Sequence, residues 1–147
     1  MAKMIWFDMD GTIADLYSVD GWLPMLRAYD PTPYAEAKPL VHMSSFARLI
    51  HTAQRNGYSV GILSWLAKNS TAKYDEAVTE AKLKWLKKHL PSVAFDVVAI
   101  VPYGYGKFHF NGGDDVLFDD EERNRTDWDG EAYNVENLLR TFAKVTA

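Results

Sequence analysis

Ile5-Trp6-Phe7-Asp8-Met9-Asp10-Gly11-Thr12-Ile13-Ala14-Asp15 is the stretch on which the reading of this chain turns. Bulky apolar residues of the kind that fill a buried strand run directly into two carboxylates one residue apart, then a glycine. Two like charges at the end of a strand repel each other, so such a pair implies a cation or a reaction that needs both acids. Gly11 lets the backbone turn sharply there and approach a ligand with no Cβ in the way.

Outward from Met4–Phe7, which reads as a short buried strand, further apolar runs at 58–63, 94–101 and 115–118 read as strands. Helical patterns lie between and after them. Residues 20–29 form a short one, stopped by Asp30-Pro31-Thr32-Pro33. Residues 43–56 place Phe46, Leu49, Ile50 and Ala53 at helical spacing, with Ser44 or Ser45 as cap and Asn56-Gly57 closing the helix. Residues 71–90 carry Ala77, Val78, Ala81, Trp85 and Leu86 on one face and stop at Pro91, and 133–145 carry Val135, Leu138, Leu139 and Phe142. Strands that alternate with helices and are apolar throughout predict an α/β fold. It is a Rossmann-like parallel sheet with helices on both faces, built as one domain over residues 1–147. Ligands of such sheets bind beyond the carboxyl ends of the strands.

Each predicted strand delivers a polar group to that edge. The first ends in Asp8 and Asp10, the second in Ser64, the fourth in Asp119-Asp120, and Lys107 follows the third. Clustered carboxylates with only oxygen to offer suit magnesium. A lysine beside such a cation makes a site for a dianion, and phosphate is the commonest one in biology. An aspartate held there can act as a nucleophile and form an aspartyl-phosphate. A second acid two residues on can hand a proton to the leaving oxygen and later take one from water. On this reading Asp8 attacks and Asp10 moves the proton.

These residues resemble the motifs of the haloacid dehalogenase (HAD) superfamily. Asp8-Met9-Asp10-Gly11-Thr12 is similar to the first motif of its phosphatase branch, Ser64 after Val60-Gly61-Ile62-Leu63 to the second, Lys107 to the third, and Asp119-Asp120 after Val116-Leu117-Phe118 to the fourth. The run from Asp119 to Trp128 resembles the loop after the fourth motif in nucleotidase-like members, the 5′(3′)-deoxyribonucleotidases among them. The resemblance implies magnesium-dependent phosphomonoester hydrolysis. Asp8 would be nucleophile and metal ligand, and Asp10 acid/base and a metal ligand through its carbonyl. Asp119 would bind the metal, with Asp120 beside it or bound through water. Met9, Gly11, Thr12, Ser64 and Lys107 would bind the phosphate, with Lys68 or Lys73 as other occupants of the lysine slot. Family members acting on small metabolites carry a cap domain, whereas here only residues 13–42 remain for a flap or mini-cap. The implied substrate is a nucleotide or other small organic phosphate. The end of a polynucleotide is an alternative, and so is a catalytically silent binding or regulatory protein of the same fold.

Other features read as ordinary. Lys82, Lys84, Lys87 and Lys88 look like the wet side of an amphipathic helix. His42, His51, His89 and His109 show no ligand spacing, and Asp127 and Asp129 read as turn residues. Trp6, Trp22, Trp65, Trp85 and Trp128 read as core or rim aromatics, of which Trp22 and Trp65 stand where they could stack on a base or sugar. The 147 residues are 48% hydrophobic and 24% charged with a net charge of -4, so no strongly basic nucleic-acid surface is expected. Cysteine is absent, which excludes disulfides and a thiol nucleophile. Met1-Ala2-Lys3 leads straight into the first strand, so no signal peptide or membrane partner is expected and the cytoplasm is the default location.

Overall fold

The computed structural model describes residues 3–147; Met1 and Ala2 lie outside the described residues. Five parallel strands form one sheet in the order β5-β4-β1-β6-β7. They are β1 (Met4–Phe7), β4 (Ser59–Trp65), β5 (Val97–Val101), β6 (Val116–Phe118) and β7 (Ala132–Tyr133). The long helices are α3 (Met43–Arg55), α4 (Ala72–His89) and α6 (Leu138–Val145). A short α5 (Glu122–Asp127) follows β6. The fold is thus the expected α/β, Rossmann-like arrangement. Among the described residues, no helix is long and apolar enough to cross a membrane.

β1 lies at the centre because Ile5, Trp6 and Phe7 have no hydrophilic side to turn to water; each is at most 4% exposed. Phe7 stacks on Phe118 with ring centroids 4.9 Å apart and meets Phe46 and Phe142 edge-on at 5.0 and 4.9 Å. This packing joins strands β1 and β6 to helices α3 and α6. The register pairs Phe7 with Ile62 of β4 and with Phe118 of β6. The next residues, Asp8 and Asp119, therefore leave the sheet side by side, and the Asp8 N–H donates to the Phe118 carbonyl at 2.9 Å.

Residues 13–42, where a flap or mini-cap is expected, hold two short strands and two short helices. β2 (Ala14–Asp15) pairs antiparallel with β3 (Lys38–Pro39) to close its base, and α1 (Trp22–Arg27) and α2 (Thr32–Glu36) lie between. The flap rests on α4: the Trp85 indole donates to the Ala37 carbonyl at 2.7 Å, and the Tyr74 hydroxyl to the Asp30 carbonyl at 2.8 Å.

Several local expectations are corrected. Asp30-Pro31-Thr32-Pro33 ends one helix but also starts α2, because the Asp30 carboxylate accepts from both the Thr32 N–H and hydroxyl, and Pro33 suits a first turn. α3 is capped by His42, whose Nδ1 accepts from the Ser45 N–H at 3.3 Å, and not by Ser44 or Ser45. The closing helix starts at Leu138, since Ala132–Tyr133 is drawn into the sheet beside β6. β5 is an edge strand on which Val97 and Val98 stay 39% and 38% exposed.

Candidate active site

The nucleophile candidate Asp8 is buried, and both its oxygens are engaged. Oδ1 accepts from the Lys107 ammonium at 2.8 Å and Oδ2 from the Thr12 hydroxyl at 3.0 Å. Lys107 begins a single turn of 3₁₀ helix, Lys107–Phe110, which carries its buried side chain under the strand ends. Its ammonium also reaches Asp119 Oδ2 at 2.7 Å and lies 5.5 Å from the Trp65 ring centre. Burial alone would lower the Lys107 pKa; Asp8 and then Asp119 outweigh it and hold the group above the ordinary lysine value.

Asp119 is 1% exposed, and both its carboxylate oxygens accept hydrogen bonds. The Glu121 N–H donates to Oδ1 at 2.9 Å, Asn124 Nδ2 to Oδ2 at 3.1 Å, and Arg125 to the Asp119 carbonyl at 3.0 Å. Thr12 accepts from the Asp120 N–H at 3.2 Å, and its one hydroxyl proton faces both Asp8 and Asp120. One oxygen from each of Asp8, Asp119 and Asp120 lies within 4.8 Å of the other two. Burial, then the Asp8 charge, pushes Asp119 up to about 6 and Asp120 up to about 8. Three carboxylates held so close that two resist ionisation form a donor set of hard oxygens. That set fits a divalent cation such as magnesium. Gly11 adopts φ +83°, and a Cβ there would collide with the Asp120 carboxylate and lie 2.9 Å from Tyr17 Cε2. The glycine gives the loop room to bend against that acid.

The Asp10 carboxylate turns to a different partner from the other acids. Its Oδ2 accepts from the Lys82 ammonium at 3.0 Å, and the same ammonium donates to Ser64 Oγ at 2.6 Å and the Trp65 carbonyl at 2.7 Å. Burial raises the Asp10 pKa, with Lys82 pulling against it and Asp8 adding to it. Lys82 corrects the reading of the α4 lysines as one wet face. Lys84, Lys87 and Lys88 are exposed, but Lys82 is 1% exposed and part of the site. The signal was present in the spacing, because Lys82 follows Val78 by four residues and precedes Trp85 by three, on the buried stripe.

Asp8, Asp10, Trp65, Lys107, Asp119 and Asp120 line a cleft of about 510 Å³ whose other wall is the flap, with Leu16, Tyr17, Trp22, Leu26 and Tyr34. Ser64 lies beneath its floor with no exposure. The Met9 side chain belongs to the main core, and the Met9 carbonyl closes the turn by accepting from the N–H groups of Thr12, Ile13 and Ala14. Lys68 lines the cleft as an exposed side chain, and Lys73 is exposed on the first turn of α4. Trp6, Trp85 and Trp128 are core residues, whereas Trp22 and Trp65 are half-buried at the cleft. Asn124 and Arg125, within the run that resembles the loop after the fourth motif, belong to the site, as do Tyr17 and Tyr34, which carry no sequence signal of their own.

No protein-family model matches the chain. No curated protein matches it. Among solved structures, the chain is similar to the HAD domain of effector protein Lem4 from Legionella pneumophila. The two are 11% identical over 99% of this chain and 97% of that one, with a TM-score of 0.44.

Proposed function

We propose that the protein is a magnesium-dependent phosphomonoester hydrolase of HAD type. The observation that carries this reading is the meeting of Asp8, Asp119 and Asp120 oxygens within 4.8 Å at the strand ends, with the Lys107 ammonium bridging Asp8 and Asp119. Asp8, Asp119, Asp120 and the Asp10 carbonyl would hold magnesium, which when bound supplies positive charge to the carboxylates and to the phosphoryl group.

Asp8 Oδ attacks the phosphorus atom, and the bond to the ester oxygen breaks as the aspartyl-phosphate forms. Asp10 in its acid form gives its proton to that leaving oxygen. In the second step the Asp10 carboxylate takes a proton from water, the resulting hydroxide attacks phosphorus, and Asp8 is released as a carboxylate. Lys107 stabilises the charge on Asp8 and on the phosphoryl oxygens throughout, since phosphoryl transfer is chiefly positioning and charge stabilisation. Ser64, unexposed beneath the cleft floor, acts on the site through Lys82, and Thr12 through Asp8 and Asp120.

The cleft supports an organic leaving group with a flat apolar part. Trp22, Tyr17 and Tyr34 on the flap face Trp65 on the sheet side, a lining suited to a nucleobase. A nucleotide is the favoured substrate. The test is phosphate release from nucleoside and deoxynucleoside monophosphates, sugar phosphates, and 3′- and 5′-phosphorylated oligonucleotides, with magnesium or EDTA. Wild type and Asp8→Asn are run side by side. Release from mononucleotides that needs both magnesium and Asp8 is the expected result. Preference for oligonucleotide ends would move the substrate to polynucleotides. No release from any ester by the folded, magnesium-binding protein would identify a silent binding protein.

A further inference from the structure

Lys82 occupies a place on α4 where packing alone asks for an apolar side chain. Val78 and Trp85, its neighbours on the same stripe, are core residues. Removing an ammonium from water costs several kcal/mol, and an apolar residue of similar volume is commonly neutral or better in such a place. Nothing in the architecture of α4 therefore calls for a lysine here. What the ammonium does instead is spend all three of its protons on acceptors: Asp10 Oδ2 at 3.0 Å, Ser64 Oγ at 2.6 Å and the Trp65 carbonyl at 2.7 Å. Two of these acceptors are groups of the proposed chemistry, arriving from the ends of the neighbouring strands β1 and β4.

The two buried lysines divide the site between them. Lys107 holds Asp8 and Asp119, the attacking and cation-binding acids. Lys82 holds Asp10, which lines the cleft with 16% of its side chain exposed. Asp10 stands on a loop beyond the last paired residue of β1, and a carboxylate there has two side-chain torsions to settle. The bond to Lys82, itself anchored on Ser64 and the Trp65 backbone, restricts them. The Tyr34 ring of the flap lies 5.1 Å from the same ammonium and closes it off on that side.

We propose that Lys82 is a positioning residue, whose ammonium ties Asp10 to Ser64 and the β4 backbone and so fixes the proton-handling carboxylate beside the nucleophile. The assignment of a role in turnover rests on the phosphomonoesterase reading; the tie between the side chains does not. A misplacement of about 1 Å at a reacting group costs about 100-fold in rate, so loss of this tie should be visible in kcat.

The test uses phenyl phosphate, whose leaving oxygen needs a proton, with wild type, Lys82→Met, Asp10→Asn and the double variant. Lys82→Met should lose at least about tenfold in kcat with KM changed less than about threefold, the pattern of a lost transition-state interaction. In the double variant the two losses should not multiply, and kcat should stay within about twofold of the slower single variant. Multiplying losses, or near wild-type kcat in folded Lys82→Met, would overturn the proposal. If Lys82→Met does not fold, Lys82→Arg takes its place. That variant keeps the charge but offers a planar fork to three converging acceptors, and it should also lose at least about tenfold in kcat; full activity overturns the proposal. If wild type releases phosphate from no ester, the phosphatase reading fails separately, and the crystal structure of Lys82→Met, or of Lys82→Arg, decides the tie. Asp10 and Ser64 should turn away from their shared position while Asp8 and Lys107 stay in place. Unmoved Asp10 and Ser64 side chains would overturn it.

Discussion

The floor of the cleft and its flap are built on opposite principles. The floor is the end of a sheet whose residues Phe7, Ile62 and Phe118 are completely buried, and its polar groups are held by two or more hydrogen bonds each at Asp8, Lys107 and Asp119. The flap has an antiparallel pair of two-residue strands for a base and two short helices, and Leu23 and Tyr29 stay 38% and 52% exposed on it. On the proposed chemistry, the groups that would meet a phosphorus atom stand on the closely packed end of the sheet, while those that would cover the rest of a substrate stand on the more exposed flap. Changes in the floor should therefore strike kcat or the fold, and changes in the flap should strike KM.

The largest expected effect is on the floor. Asp8→Asn removes the proposed nucleophile and should lower kcat by about 10³-fold or more, measured as magnesium-dependent phosphate release; full activity would sink the proposed mechanism. Next comes the packing beneath it. Phe7→Ala should cost about 3–5 kcal/mol in urea unfolding, because the Phe118, Phe46 and Phe142 rings cannot collapse into the space. A cost below 1 kcal/mol, on the order of a surface change, would show that the floor is not the closely packed part.

The third effect joins pH to the cation. Asp119 and Asp120, held at about 6 and about 8, bind protons more tightly in the folded chain than in the unfolded one. Between the ordinary carboxylate value and those values the unfolded chain has already lost protons that the folded chain keeps. Stability in EDTA should thus fall as pH rises through that window, with a lower Tm at about pH 8.5 than at about pH 5.5. Magnesium should reverse the trend at the upper end, by about 2.7 kcal/mol at a hundredfold excess over its Kd. Equal Tm values with magnesium and EDTA at high pH would count against a cation among the three acids.

On the flap the effects are smaller and of another kind. Trp22→Ala should raise KM for a mononucleotide by about five- to twentyfold, the loss of roughly 1–2 kcal/mol of aromatic contact, with kcat changed less than about threefold. A collapse of kcat instead would mean that the flap helps to build the chemistry. Leu40→Ala, at a side chain 43% exposed beside β3, should change stability by no more than about 0.5 kcal/mol in the same unfolding experiment.

The periodicity of the chain reported its long elements well. β1 lies on Met4–Phe7 as read, and α3 and α4 begin and end within one residue of expectation, because Phe46, Ile50 and Ala53, or Val78, Trp85 and Leu86, repeat at the helical period over several turns. β7 and α2 escaped, being two and five residues long and too short for any period to register. At the site, Asp8, Asp119 and Asp120 were legible because each stands at the end of an apolar run, and Lys107 because it comes in the Gly104-Tyr105-Gly106 loop after the third one. Lys82 was not, since an isolated lysine on a lysine-rich helix reads as solvent-facing until its place on the buried stripe is counted.

From its linear order alone the chain dictates the four longer strands of the sheet and that acids stand at the carboxyl ends of β1 and β6, since burial of continuous apolar runs and the rise per residue are local consequences of composition. The order β5-β4-β1-β6-β7 is a property of the assembled sheet. That order is what sets Asp8 beside Asp119, and it follows from how strands distant in sequence pair across the core. Burial of Lys82 is decided the same way. Its ammonium is neutralised by Asp10, 72 residues away in the chain, and an electrostatic debt of that kind is settled only when the two segments meet in space.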